Sequence, residues 1–169
     1  MCSSPMWASE KTGNYGKGLA NTSKDPMRVE RTGRLGEMAL AKITGLGVDL
    51  AYRVRGDKCD FRVGRVKIDV KTSTRCTGYG LIYAQSYWSK RELKLSDRYV
   101  FAYIEDDDPD NLSATVILAG YIKSSTLKDR PTVPGFKGGG HQNYLVYYHE
   151  CLPISQLLEG VKIFRKECV

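Results

Sequence analysis

The chain has 169 residues and a formal net charge of +7, with 41% hydrophobic and 27% charged residues. That length buries a core without metal or disulfide staples, and no apolar run approaches the roughly 20 residues needed to cross a bilayer. Five cysteines without a Cys-x-x-Cys pair, and only two histidines, argue against a disulfide framework and a structural zinc site.

Residues 1–27 are rich in Gly, Ser, Asn and Lys and show no sustained periodicity. They read as an irregular arm in which Tyr15 and Lys17 are the residues suited to a nucleic acid, ahead of one domain over 28–169. Gly13-Asn14-Tyr15-Gly16-Lys17-Gly18 is no phosphate loop, because no strand precedes it and no Gly-Lys-Ser/Thr ends it. Met1-Cys2-Ser3-Ser4-Pro5 lacks the charged start and apolar segment of a signal peptide, so an intracellular protein is expected. The charge is uneven: residues 1–27 carry +1, residues 28–98 carry +8 and residues 99–169 carry −2. A basic excess of that kind attracts polyanions, nucleic acid first among them.

A helix is predicted over 28–46. On a helical wheel Val29, Leu35, Gly36, Ala39, Leu40 and Ile43 share one broad arc, while Met38 and Lys42 point elsewhere. Glu37 falls at the rim of that arc, about 60° from Leu40, where a carboxylate reaches an interior polar site. Gly45 and Gly47 close the helix. Residues 48–54 alternate as a first strand, and Arg55-Gly56-Asp57 turns into the most informative stretch of the chain.

Residues 58–72 alternate apolar and polar on both sides of Gly64-Arg65, which suits a two-residue type II′ hairpin turn. That turn pairs Val63 with Val66, Arg62 with Lys67, Phe61 with Ile68 and Asp60 with Asp69. Cys59, Phe61, Val63, Val66, Ile68 and Val70 then share one face; Lys58, Asp60, Arg62, Lys67, Asp69 and Lys71 share the other. Opposed carboxylates at Asp60 and Asp69, with Cβ atoms roughly 5 Å apart, repel unless a cation sits between them. Mg²⁺ is commonly held by one or two carboxylates with several waters, and Lys71 lies one step along the same face.

Further along, strands are expected over 81–85, 99–104, 115–121 and 144–148, with helical pieces over 86–95, 122–127 and 153–158. Residues 73–78 are polar and basic, and 131–141 read as a flexible loop. Glu105-Asp106-Asp107-Asp108-Pro109-Asp110 lacks the ligand spacing and glycine of a calcium loop and reads as a solvated hairpin tip. This order of elements fits a mixed central β-sheet flanked by helices, an α/β fold.

Taken together, Gly36-Glu37-Met38-Ala39-Leu40, Lys58-Cys59-Asp60-Phe61 and Ile68-Asp69-Val70-Lys71-Thr72-Ser73 resemble the PD-(D/E)XK nuclease superfamily, the restriction-endonuclease-like fold of type II restriction enzymes and archaeal Holliday-junction resolvases. The match covers residues 30–75, with Cys59 in place of the proline that names the motif; residues 144–158 also look like the end of many such domains. The resemblance implies a metal-dependent DNA endonuclease, with Mg²⁺, or Mn²⁺ in its place, held by Asp60, Asp69 and the Val70 carbonyl. Glu37 would act on the metal directly or through a bound water. Lys71 would orient or deprotonate the attacking water and balance charge on the phosphate. Arg31, Arg34, Lys58, Arg75, Lys90 and Arg91 are the residues expected to hold flanking DNA phosphates. A phage or mobile-element endonuclease of homing type, a junction resolvase, a small repair or restriction enzyme, and a DNA-binding module without catalysis all fit this pattern. A homodimer or higher homo-oligomer is compatible with cutting two strands; no membrane association is expected.

Overall fold

A computed structural model describes residues 26–48, 59–85, 95–108, 110–111, 113–134 and 142–167. The first element is helix α1, Pro26–Thr44. Pro at a helix start costs no hydrogen bond, because the first amides have no partner in the helix anyway. At the other end Gly45, with φ 67, takes the left-handed conformation and donates its N–H to the Ala41 carbonyl at 2.7 Å. That is the glycine stop expected from the sequence.

The buried side of α1 is Thr32, Gly36, Leu40, Ala41 and Thr44. Leu40 and Gly36 lie where the wheel puts them, but Ile43 is 47% exposed, so the arc is turned toward Ala41 and the two threonines. Small residues on this stripe let the helix press closely on the sheet. A Cβ at Gly36 would stand 1.9 Å from Thr72 Oγ1.

The predicted hairpin forms. Strands β1, Phe61–Val63, and β2, Val66–Ser73, pair antiparallel with Phe61↔Ile68, Arg62↔Lys67 and Val63↔Val66 in register. Gly64, with φ 58, supplies the positive angle that both primed hairpin turns require at their first central position. Phe61, Val63, Ile68 and Val70 are buried while Arg62 is exposed, as alternation requires.

Next come β3, Tyr79–Gln85; β4, Arg98–Asp108; and β5, Ser113–Lys123. They are followed by short strand β6, Thr132–Pro134, by β7, Gln142–Tyr147, and by α2, Ile154–Glu167. Short 3-10 turns at Ser124–Thr126 and Tyr148–Glu150 separate them. Two expectations change here. The acidic run is only in part a hairpin tip: Glu105–Asp108 belong to β4, the last pair being Asp108↔Ser113, and the chain reverses beyond Asp108, which takes the Asn111 N–H at 3.1 Å. The final helix is also longer than 153–158. The strand expected over 48–54 and the helix over 86–95 fall almost wholly outside the described residues, as do residues 1–25 and 135–141 of the loop.

The larger difference is the number of sheets. The molecule is mixed α/β, but its strands form a four-stranded mixed sheet, order β1-β2-β4-β5, and a separate three-stranded antiparallel sheet, order β3-β7-β6. Only β2 and β4 are parallel neighbours, with Asp69↔Tyr99 and Lys71↔Phe101 in register. One face of the mixed sheet packs Phe61, Ile68, Val70, Val100 and Ala102 against Leu40 of α1 and Leu157 of α2. The other packs Tyr99, Phe101 and Ile122 against Ile82 and Val146 of the second sheet. This explains the unbroken buried run Tyr99–Ala102: a strand covered on both faces loses its polar alternation. The sheets approach so closely that a Cβ at Gly80 would stand 2.1 Å from the Phe101 ring.

Candidate active site

The acidic cluster lies where β1 begins, beside the middle of β2. The registered ladder stops at Phe61↔Ile68, so Asp60 and Asp69 are not a regular cross-strand pair. The Asp60 N–H donates to the Ile68 carbonyl at 3.1 Å, and its carboxylate Oδ2 accepts the Val70 N–H at 2.6 Å. A side chain thus replaces a backbone carbonyl as acceptor for β2. The consequence is that the Asp60 carboxyl is pinned one peptide away from Asp69.

That placement is electrostatically unfavourable. Burial, then the Asp69 charge, pushes the Asp60 carboxyl up to about 7, with Glu37 adding to the rise; the Val70 N–H and Lys71 oppose it. Glu37 approaches from α1, so carboxylates from two elements act on one site. Its Oε2 accepts a hydrogen bond from Arg34 Nη1 at 2.8 Å.

Asp69 and Lys71 sit on the face of β2 that β4 shares with Tyr99 and Phe101. The Lys71 ammonium forms an ion pair with Asp69 Oδ2 and lies 5.9 Å from the centre of the Tyr99 ring. Asp69 Oδ2 is sealed from solvent and accepts no hydrogen bond of regular geometry, so the lysine charge is its compensation. Burial alone would lower the Lys71 pKa, but Asp69, with help from Asp60, outweighs it and holds Lys71 above the ordinary lysine value. Tyr99 in turn donates no proton readily: burial and the Asp69 charge raise its phenol, whose oxygen accepts the Ser96 N–H at 3.0 Å.

Among the described residues, no three His, Cys, Asp or Glu side chains converge closely enough to hold a metal ion as they stand. The donor chemistry nevertheless suits a hard divalent cation. It consists of two adjacent carboxylates, Asp69 paired with the Lys71 ammonium and Asp60 held where burial and the Asp69 charge oppose its ionisation. Mg²⁺ takes such pairs with waters in its remaining positions.

The basic residues divide. Arg31 is ion-paired with Asp107 and Arg34 with Glu37, so both are engaged with carboxylates of this chain. Arg75 is exposed just past the end of β2. Lys58, Lys90 and Arg91 lie outside the described residues. The alternation of the sequence does not show that Asp97 Oδ2 takes the Lys67 N–H at 2.7 Å, nor that Tyr99 faces Lys71. Both depend on the parallel β2–β4 pairing, a long-range contact without a local signal. Cys59, Cys76 and Cys151 are free thiols.

No helix among the described residues is long and apolar enough to cross a membrane. In comparison with known proteins, the chain matches no protein family, no curated protein and no solved structure.

Proposed function

We propose that this chain is a Mg²⁺-dependent DNA endonuclease built on a restriction-endonuclease-like core. The observation that carries the proposal is the Asp60 carboxyl held beside Asp69 by the Val70 N–H, where burial and then the Asp69 charge raise it to about 7. Acids kept at such a cost are a mark of functional sites. The mixed sheet, the Gly36-Glu37 helix packed on it and the Asp-Val-Lys strand are all compatible with that core.

Asp60 and Asp69 would hold the metal with the Val70 carbonyl, and Glu37 would act on it directly or through a water. When bound, Mg²⁺ polarises a phosphoryl oxygen and lowers the pKa of its water. The protein's own contribution is charge and position. Lys71, kept as an ammonium by Asp69, balances negative charge accumulating on the phosphate and orients the attacking water; a group with its pKa raised is a poor base at neutral pH. Arg34 restrains Glu37. Exposed Arg75 adds a cation for the DNA backbone.

The test is conversion of supercoiled plasmid to nicked or linear forms in Mg²⁺ or Mn²⁺, with wild type beside Asp69→Ala and Lys71→Ala. Each substitution is expected to lower the rate by ~10²-fold or more, the scale on which single charge-stabilising groups act. Equal activity in all three proteins would reject the assignment. Tight, metal-independent binding without cleavage would instead identify a DNA-binding module. Duplex, flap and four-way-junction substrates then define what is cut.

A further inference from the structure

The hairpin carries a second row of charge beside the acids. Lys67 lies two residues before Asp69 on β2, and alternation puts Lys67, Asp69 and Lys71 on one face. Arg62 stands directly across from Lys67 in register, two residues beyond Asp60, and shares that face. The opposite face of both strands is buried through Phe61, Val63, Ile68 and Val70, which fixes the register and with it the side on which the cations stand. Arg62 is exposed and Lys67 half-buried. Like charges directly opposite one another destabilise a strand pair. Here nothing offsets the cost: among the described residues, no ion pair is formed by Arg62 or Lys67, whereas Arg31 and Arg34 are engaged with carboxylates. Asp97 Oδ2 takes the Lys67 backbone N–H at 2.7 Å, not its ammonium.

We propose that Arg62 and Lys67 form the subsite for the phosphodiester group next to the one cleaved. The inference rests on the nuclease reading and extends it to the way the DNA strand is laid along the hairpin. Successive side chains on one face of a strand are ~6.6 Å apart, from a rise of ~3.3 Å per residue. The cation row is therefore one such step from the acid row, a step comparable with the separation of neighbouring phosphates along a nucleic-acid strand. An acceptor-only, anionic group is the ligand that an uncompensated guanidinium and ammonium select together, and binding it relieves their repulsion. The acids then take the metal at the cleaved phosphate, and the cations take its neighbour.

The experiment measures steady-state cleavage of a short duplex in Mg²⁺ at several salt concentrations. Wild type is compared with Arg62→Gln, Lys67→Gln, the double variant, the charge-keeping Arg62→Lys and Lys67→Arg, and Lys42→Gln. Lys42 is an exposed cation of α1, on the other side of the mixed sheet, and controls for net charge. Arg62→Gln and Lys67→Gln are each expected to raise KM by ~10-fold with kcat changed far less, since a hydrogen bond to a charged group is worth about that factor. Each should also flatten the dependence of log KM on log salt by about one unit, the mark of a lost phosphate contact. Arg62→Lys and Lys67→Arg keep the wild-type slope, and so does Lys42→Gln. An uncharged methylphosphonate at one position beside the cut weakens wild type but adds nothing to the double variant. If wild type cleaves and both Gln variants keep its KM and slope, the subsite is wrong while the nuclease stands. If the charge-keeping variants fail as the Gln variants do, Arg62 and Lys67 are packing residues and the proposal falls. If Lys42→Gln behaves like them, the effect is overall charge and the proposal also falls. No cleavage by wild type overturns the nuclease reading, and the neighbouring-phosphate subsite with it.

Discussion

Two carboxylates of this chain occupy opposite electrostatic situations. Glu150, at the turn after β7, takes two hydrogen bonds from Arg130, at 2.9 and 3.2 Å, and the Tyr147 N–H at 2.9 Å. Those Arg130 bonds hold its carboxyl below the usual range. Asp60 also accepts a backbone N–H, yet burial beside Asp69 drives it the other way. The lesson is that one good hydrogen bond does not settle a carboxylate's state. What decides is whether the remaining charge meets a cation or another acid. Glu150 fastens a turn to its strand. Asp60 is held in a place where its charge works against the fold, which is intelligible if a cation completes it.

This contrast is sharpest in stability. The folded protein keeps a proton on Asp60 up to about pH 7, whereas an ordinary aspartate loses it near 3.8. Between those values the folded state binds more protons than the unfolded one, so Asp60 makes stability fall as pH rises, reaching its low plateau above pH 7. Asp60→Asn removes the charge and keeps an acceptor for the Val70 N–H. At pH 8 it is expected to stabilise the protein by ~1–3 kcal/mol, raising Tm by roughly 3–10 °C while abolishing cleavage. Below pH 4 the gain should vanish. A variant no more stable than wild type at pH 8 would show that the two aspartates do not repel as described.

A smaller effect should come from the cation itself. With 10 mM Mg²⁺ and a dissociation constant near 1 mM, linkage gives about 1.4 kcal/mol, or a Tm rise of roughly 3–5 °C. Ca²⁺ should act similarly without DNA present. The shift should weaken below pH 7 as protons compete for Asp60, and should be absent in Asp69→Asn. An equal shift in that variant would place the cation elsewhere.

The hairpin was legible because its information is local: alternation, a glycine at the turn and a register that follows from both. Gly64 and the pairs from Val63↔Val66 to Phe61↔Ile68 stand as the sequence predicts. Reading failed one residue further on, at Asp60, where a side-chain acceptor displaces the ladder. The second sheet was not legible either. Its strands β3 and β7 are separated by the whole of β4 to β6, and only tertiary packing on Phe101 and Tyr99 shows that they form a layer of their own. Likewise, Ile43 has the apolar character of a core residue, but the close contact of Gly36 with Thr72 fixes the rotation of α1 and leaves Ile43 outside.

The least effect is expected at Glu150, and it should have the opposite sign. Glu150→Gln leaves an oxygen for the Tyr147 N–H but cannot accept both Arg130 donors, so the turn loses a charge-assisted pair. Because the folded carboxyl titrates below its value of 4.5, its contribution is present at neutral pH and is lost as pH falls through the depressed pKa. Glu150→Gln should therefore lower Tm slightly at pH 7, less so in high salt, where an exposed pair is screened. The difference from wild type should close in acid, just where that of Asp60→Asn also closes, but from the other side. Thermal melts of both variants across pH 3 to 8 read the contrast directly. If Glu150→Gln stabilised the protein at neutral pH, Arg130 would not be the satisfied partner that separates this carboxylate from Asp60.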